Sequence, residues 1–183
     1  MLKLKNLLVI LVVLLPFSSH AQDINWLSMD EALAKQKEIP KKIMIDMYTT
    51  WCGPCKMLDR NTFSNPKLAE YVNANYYAVK FNAEGNESVQ FNGQPLTNPN
   101  YDPAKARRRN SQHQLAQYFG VTAYPTIVFL GENASFLAPI PGYKSPEQLE
   151  LYLKLFATDT YKTINSQEAF NAYYKSFKPS FAP

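Results

Sequence analysis

The chain has 183 residues, 46% of them apolar and 19% charged, with a formal net charge of +4. That length suits one domain with decorations. So small an excess of basic residues gives little support for a nucleic-acid partner.

Residues 1–21 read as a secretory signal: Lys3 and Lys5 give a positive start, Leu7 through Leu15 an apolar run, and Ser19-His20-Ala21 small residues at a cleavage site. The run is shorter than the roughly 20 residues of a membrane span, although an uncleaved anchor is the alternative. Lys3 and Lys5 are the signal's share of the 19 basic residues, and none of the 15 acidic ones falls there, so the mature chain carries 17 basic against 15 acidic side chains. The expected destination is outside the cytoplasm: the periplasm in a cell with an outer membrane.

Beyond the signal, Asp23–Leu27 predicts a short strand. Ser28-Met29-Asp30-Glu31 has the form of a capping box, opening a helix that ends before Pro40. Ile43–Tyr48 is almost continuously apolar, as in a central strand covered on both faces. Asp46 interrupts it. A buried carboxylate is costly without a partner, so Asp46 is either an exposed position or a functional acid.

Trp51-Cys52-Gly53-Pro54-Cys55-Lys56 follows and holds both cysteines of the chain. If a helix begins here, the cysteines share one face, with Cβ atoms roughly 5–6 Å apart, a distance compatible with a disulfide. Cys52 at the helix start meets free backbone N–H groups and the positive end of the dipole, which favour a thiolate. Thiolate is the attacking species in disulfide exchange. Cys55, further in and expected to be more buried, suits the second step. A purely structural staple across four residues would remove little chain entropy. Zinc sites use four protein ligands, or three plus water, and beyond the signal only His113 joins the two cysteines. No metal is therefore expected.

The helix is expected to run to about Asn61. Asn65-Pro66 predicts a second helix start, and Tyr76–Phe81 a strand with Lys80 as its odd charge. Residues 85–110 break the rhythm and are rich in Asn, Gly and Pro. Val89-Gln90-Phe91 before Asn92-Gly93 hints at a hairpin. Lys105 and Arg107-Arg108-Arg109 form a basic cluster, read either as a solvated loop or as a docking loop near the site. Ser111 is the expected cap of a helix stopped by Gly120. Val121–Leu130 holds a strand that Pro125 can only begin or edge. A turn at Gly131-Glu132-Asn133 leads to an antiparallel neighbour over Ala134–Ile140. Ser145-Pro146-Glu147-Gln148 opens an amphipathic helix with Leu149, Tyr152, Leu153 and Phe156. A last helix, about Gln167–Phe177, carries Phe170, Tyr173, Tyr174 and Phe177 as a packing stripe.

With Trp-Cys-Gly-Pro-Cys-Lys in this order of elements, residues 24–157 resemble the thioredoxin family. Within it, Trp51–Glu70 looks more like exported thioredoxin-like reductases, including the C-terminal module of the transmembrane electron carrier DsbD, than like cytosolic thioredoxin. The resemblance implies an α/β thioredoxin fold: a central mixed sheet flanked by helices, here with an inserted loop at about 85–110 and a C-terminal helical extension. The expected organisation is signal 1–21, thioredoxin-like domain 22–158 and extension 159–183. It also implies that Cys52 attacks and Cys55 resolves. Asp46 moves the proton of Cys55, and Lys80 tunes Asp46. Trp51, Gly53, Pro54, Tyr124, Pro125 and Gly142 line the substrate site, with Tyr124–Pro125 cis. Arg60 stands where many thioredoxins have a kinking proline, which implies a straighter helix.

The implied activity is thiol–disulfide exchange, mainly reducing disulfides in exported client proteins. It needs no cofactor beyond the Cys52–Cys55 pair, and the chain is expected to be a monomer with a membrane thiol as its electron donor. A dithiol oxidase or disulfide isomerase is the alternative within the class, and a non-catalytic binding module the alternative outside it.

Overall fold

The computed structural model describes residues 23–181. The predicted signal lies outside them. Among the described residues no helix is long and apolar enough to cross a membrane.

The first strand shrinks to β1, Trp26–Leu27, and the capping box of Ser28 and Glu31 opens α1, Met29–Glu38. β2, Lys42–Tyr48, occupies the middle of a five-stranded sheet. It pairs in parallel with β3, Tyr76–Asn82, and antiparallel with β6, Thr126–Leu130. β1 edges the sheet beside β3, and β7, Phe136–Pro141, edges it beside β6. The result is the expected mixed sheet.

Alternation along β2 divides the core. Ile43, Ile45 and Met47 face one way, packing with Val79, Phe81, Val128 and Leu130 under α1 and α4, Gln114–Tyr118. Met44 faces the other way, with Ala78, Ile127 and Phe129, under α3, Pro66–Asn75, and α5, Pro146–Ala157. Each large apolar side chain so buried contributes roughly 1.5–3 kcal/mol. The period of two that sends Met44 to the second face sends Asp46 there as well, and Lys80 with Ala78. The acid and the lysine therefore share one face by register alone, since Asp46 lies directly opposite Lys80.

Three local expectations change. The strand containing Val121–Leu130 begins only at Thr126, after the cis Tyr124–Pro125 bond. Ser111 does not cap α4: its hydroxyl bonds the Asn98 side chain, and the cap is His113, whose ring Nδ1 accepts the Leu115 N–H. In α6, Gln167–Ser176, Phe170 and Tyr173 pack against the core, whereas Tyr174 is 61% exposed. Residues 85–110 do contain a hairpin, β4 (Val89–Phe91) and β5 (Gln94–Leu96), turned by Asn92 and Gly93, both at positive φ.

Candidate active site

β2 runs out at Tyr48, and the chain turns through Thr49–Trp51 into α2, Gly53–Leu58. Cys52 is its N-cap, and Pro54 lies in the first turn, where a missing N–H costs nothing. The Cys52 Sγ accepts the Cys55 N–H at 3.1 Å, so the group that caps the helix is the reactive sulfur itself. The two cysteines form a disulfide, with Cα atoms 5.3 Å apart. The expected difference in burial is absent in this oxidised state: Cys52 and Cys55 are each 2% exposed. Bonding to Cys55 draws the Cys52 sulfur against the helix start. Gly53 and Pro54 between them are exposed, and a Cβ on Gly53 would meet nothing within 4 Å.

Because β6 lies antiparallel to β2, its first residue, Thr126, pairs with Met47 near the end of β2. That register brings Tyr124 and Pro125 to the cysteine end of the sheet. Tyr124 meets Trp51 edge-on, with centroids 6.0 Å apart. The Pro125 carbonyl accepts the Gly142 N–H at 2.7 Å, and Gly142 has φ +82, which suits a residue without Cβ. The structure thus joins Trp51, Tyr124, Pro125 and Gly142 through direct contacts along one edge of the site.

Asp46 is 1% exposed, and burial raises its pKa to about 6 even though the Lys80 ammonium pulls the other way. Asp46 Oδ2 accepts from Lys80 Nζ at 2.9 Å, while Oδ1 has no hydrogen-bond partner among the described residues. Burial pulls the Lys80 pKa down, but the Asp46 and Asp59 carboxylates outweigh it and hold it above the ordinary value. Trp26, Tyr48 and Phe63 surround this ammonium at 5.1–5.3 Å.

Asp59, which sequence reasoning passed over, is a second carboxylate on Lys80. It follows α2 in a π-helical turn, Asp59–Phe63. Around Arg60 the winding is wider, i→i+5, a form of helix irregularity that needs no proline. Glu84 was also passed over, and Arg109 was read only as part of the basic cluster. Glu84 Oε2 accepts both the Trp51 indole N–H at 2.7 Å and the Asn110 backbone N–H at 2.8 Å. The Arg109 guanidinium lies 4.9 Å from the centre of a Trp51 ring. The only signals in the sequence were the acid after the Lys80 strand and the basic run itself. Among the described residues, no group of three or more His, Cys, Asp or Glu side chains could hold a metal ion.

A disulfide capping its own helix, mounted at the end of a central strand in this sheet order, defines a thioredoxin-fold protein with a Cys-x-x-Cys site. The chain belongs to the thioredoxin-like domain family, whose model matches residues 29–157. It is similar to the thiol:disulfide interchange protein DsbD of Pectobacterium atrosepticum, 24% identical over 135 residues, which are 73% of this chain and 19% of that protein. The chain thus spans about a fifth of the length of that relative. A Bacteroides thetaiotaomicron protein proposed to be a disulphide isomerase superposes with TM-score 0.52 at 27% identity, over 78% of this chain and 98% of that one. A thioredoxin-fold protein from Helicobacter pylori superposes with TM-score 0.55 at 17% identity, over 80% and 96% of the two chains.

Proposed function

We propose that the protein is an exported dithiol reductase of other proteins' disulfides. The observation that carries this is the Cys55 N–H aimed at the Cys52 sulfur. In the reduced protein the same bond stabilises a Cys52 thiolate, which attacks one sulfur of a client disulfide. A mixed disulfide forms, and one client thiolate leaves and is protonated by solvent. Cys55, its proton passed to Asp46, attacks the Cys52 sulfur as a thiolate and expels the second client sulfur as a thiolate, which takes up that proton. The client gains two electrons and two protons, and the Cys52–Cys55 disulfide returns.

Asp46 accepts the Cys55 proton through its unpartnered Oδ1, and Lys80 sets how readily it does so. Trp51, Tyr124, Pro125 and Gly142 hold the client strand against the sulfurs, with Gly53 and Pro54 leaving the approach open. The domain spans 22–158, with 159–183 as an extension, behind a signal at 1–21, and the protein works as a monomer outside the cytoplasm. A membrane thiol re-reduces it, a reading supported by the similarity to DsbD. The Gly53-Pro54 spacer resembles that of the reducing members of the thioredoxin family, which supports the reducing direction.

Equilibration with glutathione tests that direction. The expected potential is near that of thioredoxin, about −270 mV, and a value near about −120 mV would make the protein an oxidant. The similarity to the Bacteroides protein favours isomerisation as a second reading. Recovery of activity in a scrambled-disulfide substrate, without added reductant, would establish it.

A further inference from the structure

The basic run at Lys105–Arg109 is not a loosely solvated loop. Asn110 closes its base, accepting from the Asp102 N–H at 3.0 Å and donating to the Asp102 carbonyl at 2.8 Å. Asn98 ties the flanks together through the carbonyls of Gly85 and Ser111. On the active-site side, the Thr50 hydroxyl donates to the Ala106 carbonyl at 2.9 Å, and Arg109 lies over Trp51. Both ends of the run are therefore fastened to the residues just before Cys52.

Its charge is left unneutralised. Arg107, Arg108 and Arg109 are all exposed, and none has an ion-pair partner among the described residues. The nearby acids are occupied elsewhere: Asp102 pairs with Lys105 at 3.3 Å, and Glu84 holds Trp51 and Asn110. A cluster serving only solubility needs neither fastening nor a place against the reactive sulfur. Guanidiniums carried on a fastened backbone, by contrast, match carboxylates in geometry as well as sign, and the backbone loses little entropy on binding.

We propose that this segment docks an acidic polypeptide stretch flanking the disulfide of the client, delivering that disulfide to Cys52. The proposal rests on the reading of the protein as a disulfide reductase. Charge of this kind acts mainly on the rate of encounter, and salt screens it.

The test uses the reduced protein and two synthetic peptides with one internal disulfide each, alike except that Glu residues flank the disulfide in one and Gln in the other. Release of peptide thiol gives the rate. The Glu peptide should react about tenfold faster at low ionic strength, and the ratio should approach one in about 0.5 M salt. In R107E/R108E, which leaves Arg109 on Trp51, the low-salt ratio should fall to one or below. The ratio is internal to each variant, and the salt series on the native protein stands without any variant. Equal rates for both peptides would overturn the docking role while leaving the reductase reading intact, as would a preference that survives R107E/R108E. Binding to anionic phospholipid vesicles with no peptide preference would overturn it too, assigning the cluster to a membrane surface. Reduction of neither peptide would overturn both readings.

Discussion

The Lys80 ammonium stands 2.9 Å from the Asp46 carboxylate, directly across the β2–β3 register and within the protein. Burial nonetheless wins over that attraction and raises the Asp46 pKa to about 6. At neutral pH the acid is thus mostly ionised yet close to its own titration point, the condition in which a proton acceptor works best. Asp46→Asn should therefore slow resolution of the mixed disulfide at least tenfold, within the usual range for a general base. The first attack by Cys52 should be nearly unchanged at pH 7. In the native protein the resolution rate should fall as pH drops through about 6, and the variant should lack that inflection. Single-turnover thiol release over a pH series separates the two steps.

The same shift has a consequence for stability. The Asp46 pKa is raised from 3.8 to about 6 on folding, so the folded state holds this proton more tightly than the unfolded one. Its contribution is fully present below pH 3.8, declines as pH rises, and is lost above about pH 6. Ionised Asp46 therefore costs stability at neutral pH, on the order of 3 kcal/mol. Asp46→Asn should stabilise the oxidised protein by about 1–3 kcal/mol at pH 7.5, Asp59 keeping Lys80 paired. The gain should vanish by about pH 4. Denaturant unfolding at the two pH values measures it.

The parts of this structure written in adjacent residues were legible in the sequence. The caps of Ser28, Asn65 and Ser145, the Asn92-Gly93 turn and the cysteine spacing each express a constraint that spans four residues or fewer, and each appears in place. Asp46 and Lys80 were also found, because an odd charge in an apolar strand is conspicuous on its own. Asp59 was not: an acid on a polar helix is unremarkable until a π turn brings it to Lys80. Glu84 was missed, and Arg109 seen only as one of a basic cluster, for a related reason. Their importance lies in touching Trp51, and nothing local distinguishes a guanidinium stacked on an indole from one in water. The cap of α4 was misplaced because serine is the commoner cap, whereas here buried His113 supplies the acceptor and Ser111 turns to Asn98.

His113 supplies a pH dependence of the opposite sense. It is 0% exposed, its Nδ1 accepts the Leu115 N–H, and its Nε2 lies 2.8 Å from the Glu87 carbonyl. That pattern requires the neutral ring with its proton on Nε2. Burial holds its pKa below the usual 6.5. Its stabilisation is present above the unfolded pKa and is lost as pH falls through the lower folded value. His113→Asn keeps a capping acceptor but gives up the bond to Glu87. It should cost about 1–2 kcal/mol at pH 7.5. The gap from the native protein should narrow as pH falls below about 6.5. Denaturation midpoints of the two proteins across that range test it.

Glu150 fastens the C-terminal segment from inside the fold. It is 0% exposed on α5 and accepts from the Ser180 N–H at 2.7 Å, the Ser180 hydroxyl and the Phe181 N–H at 2.8 Å, with Lys154 at 2.6 Å. These bonds place Phe181 beside Tyr71, where it is 5% exposed, and the Asn65 side chain donates to its carbonyl. Burial alone would raise the Glu150 pKa, but Lys154 and the Ser180 and Phe181 donors outweigh it and hold it below the ordinary value. Glu150→Gln preserves the shape and replaces one acceptor with an NH2 facing donors. The loss should be about 2–3 kcal/mol, since a buried charge-assisted bond is exchanged for an unmatched donor. Release of the tail should accompany it, read as faster chymotryptic cleavage after Phe177. Because the carboxylate is buried, about 0.5 M salt should barely reduce the difference. A variant as stable as the native protein, with its tail equally protected, would show that Phe181 is held by packing alone.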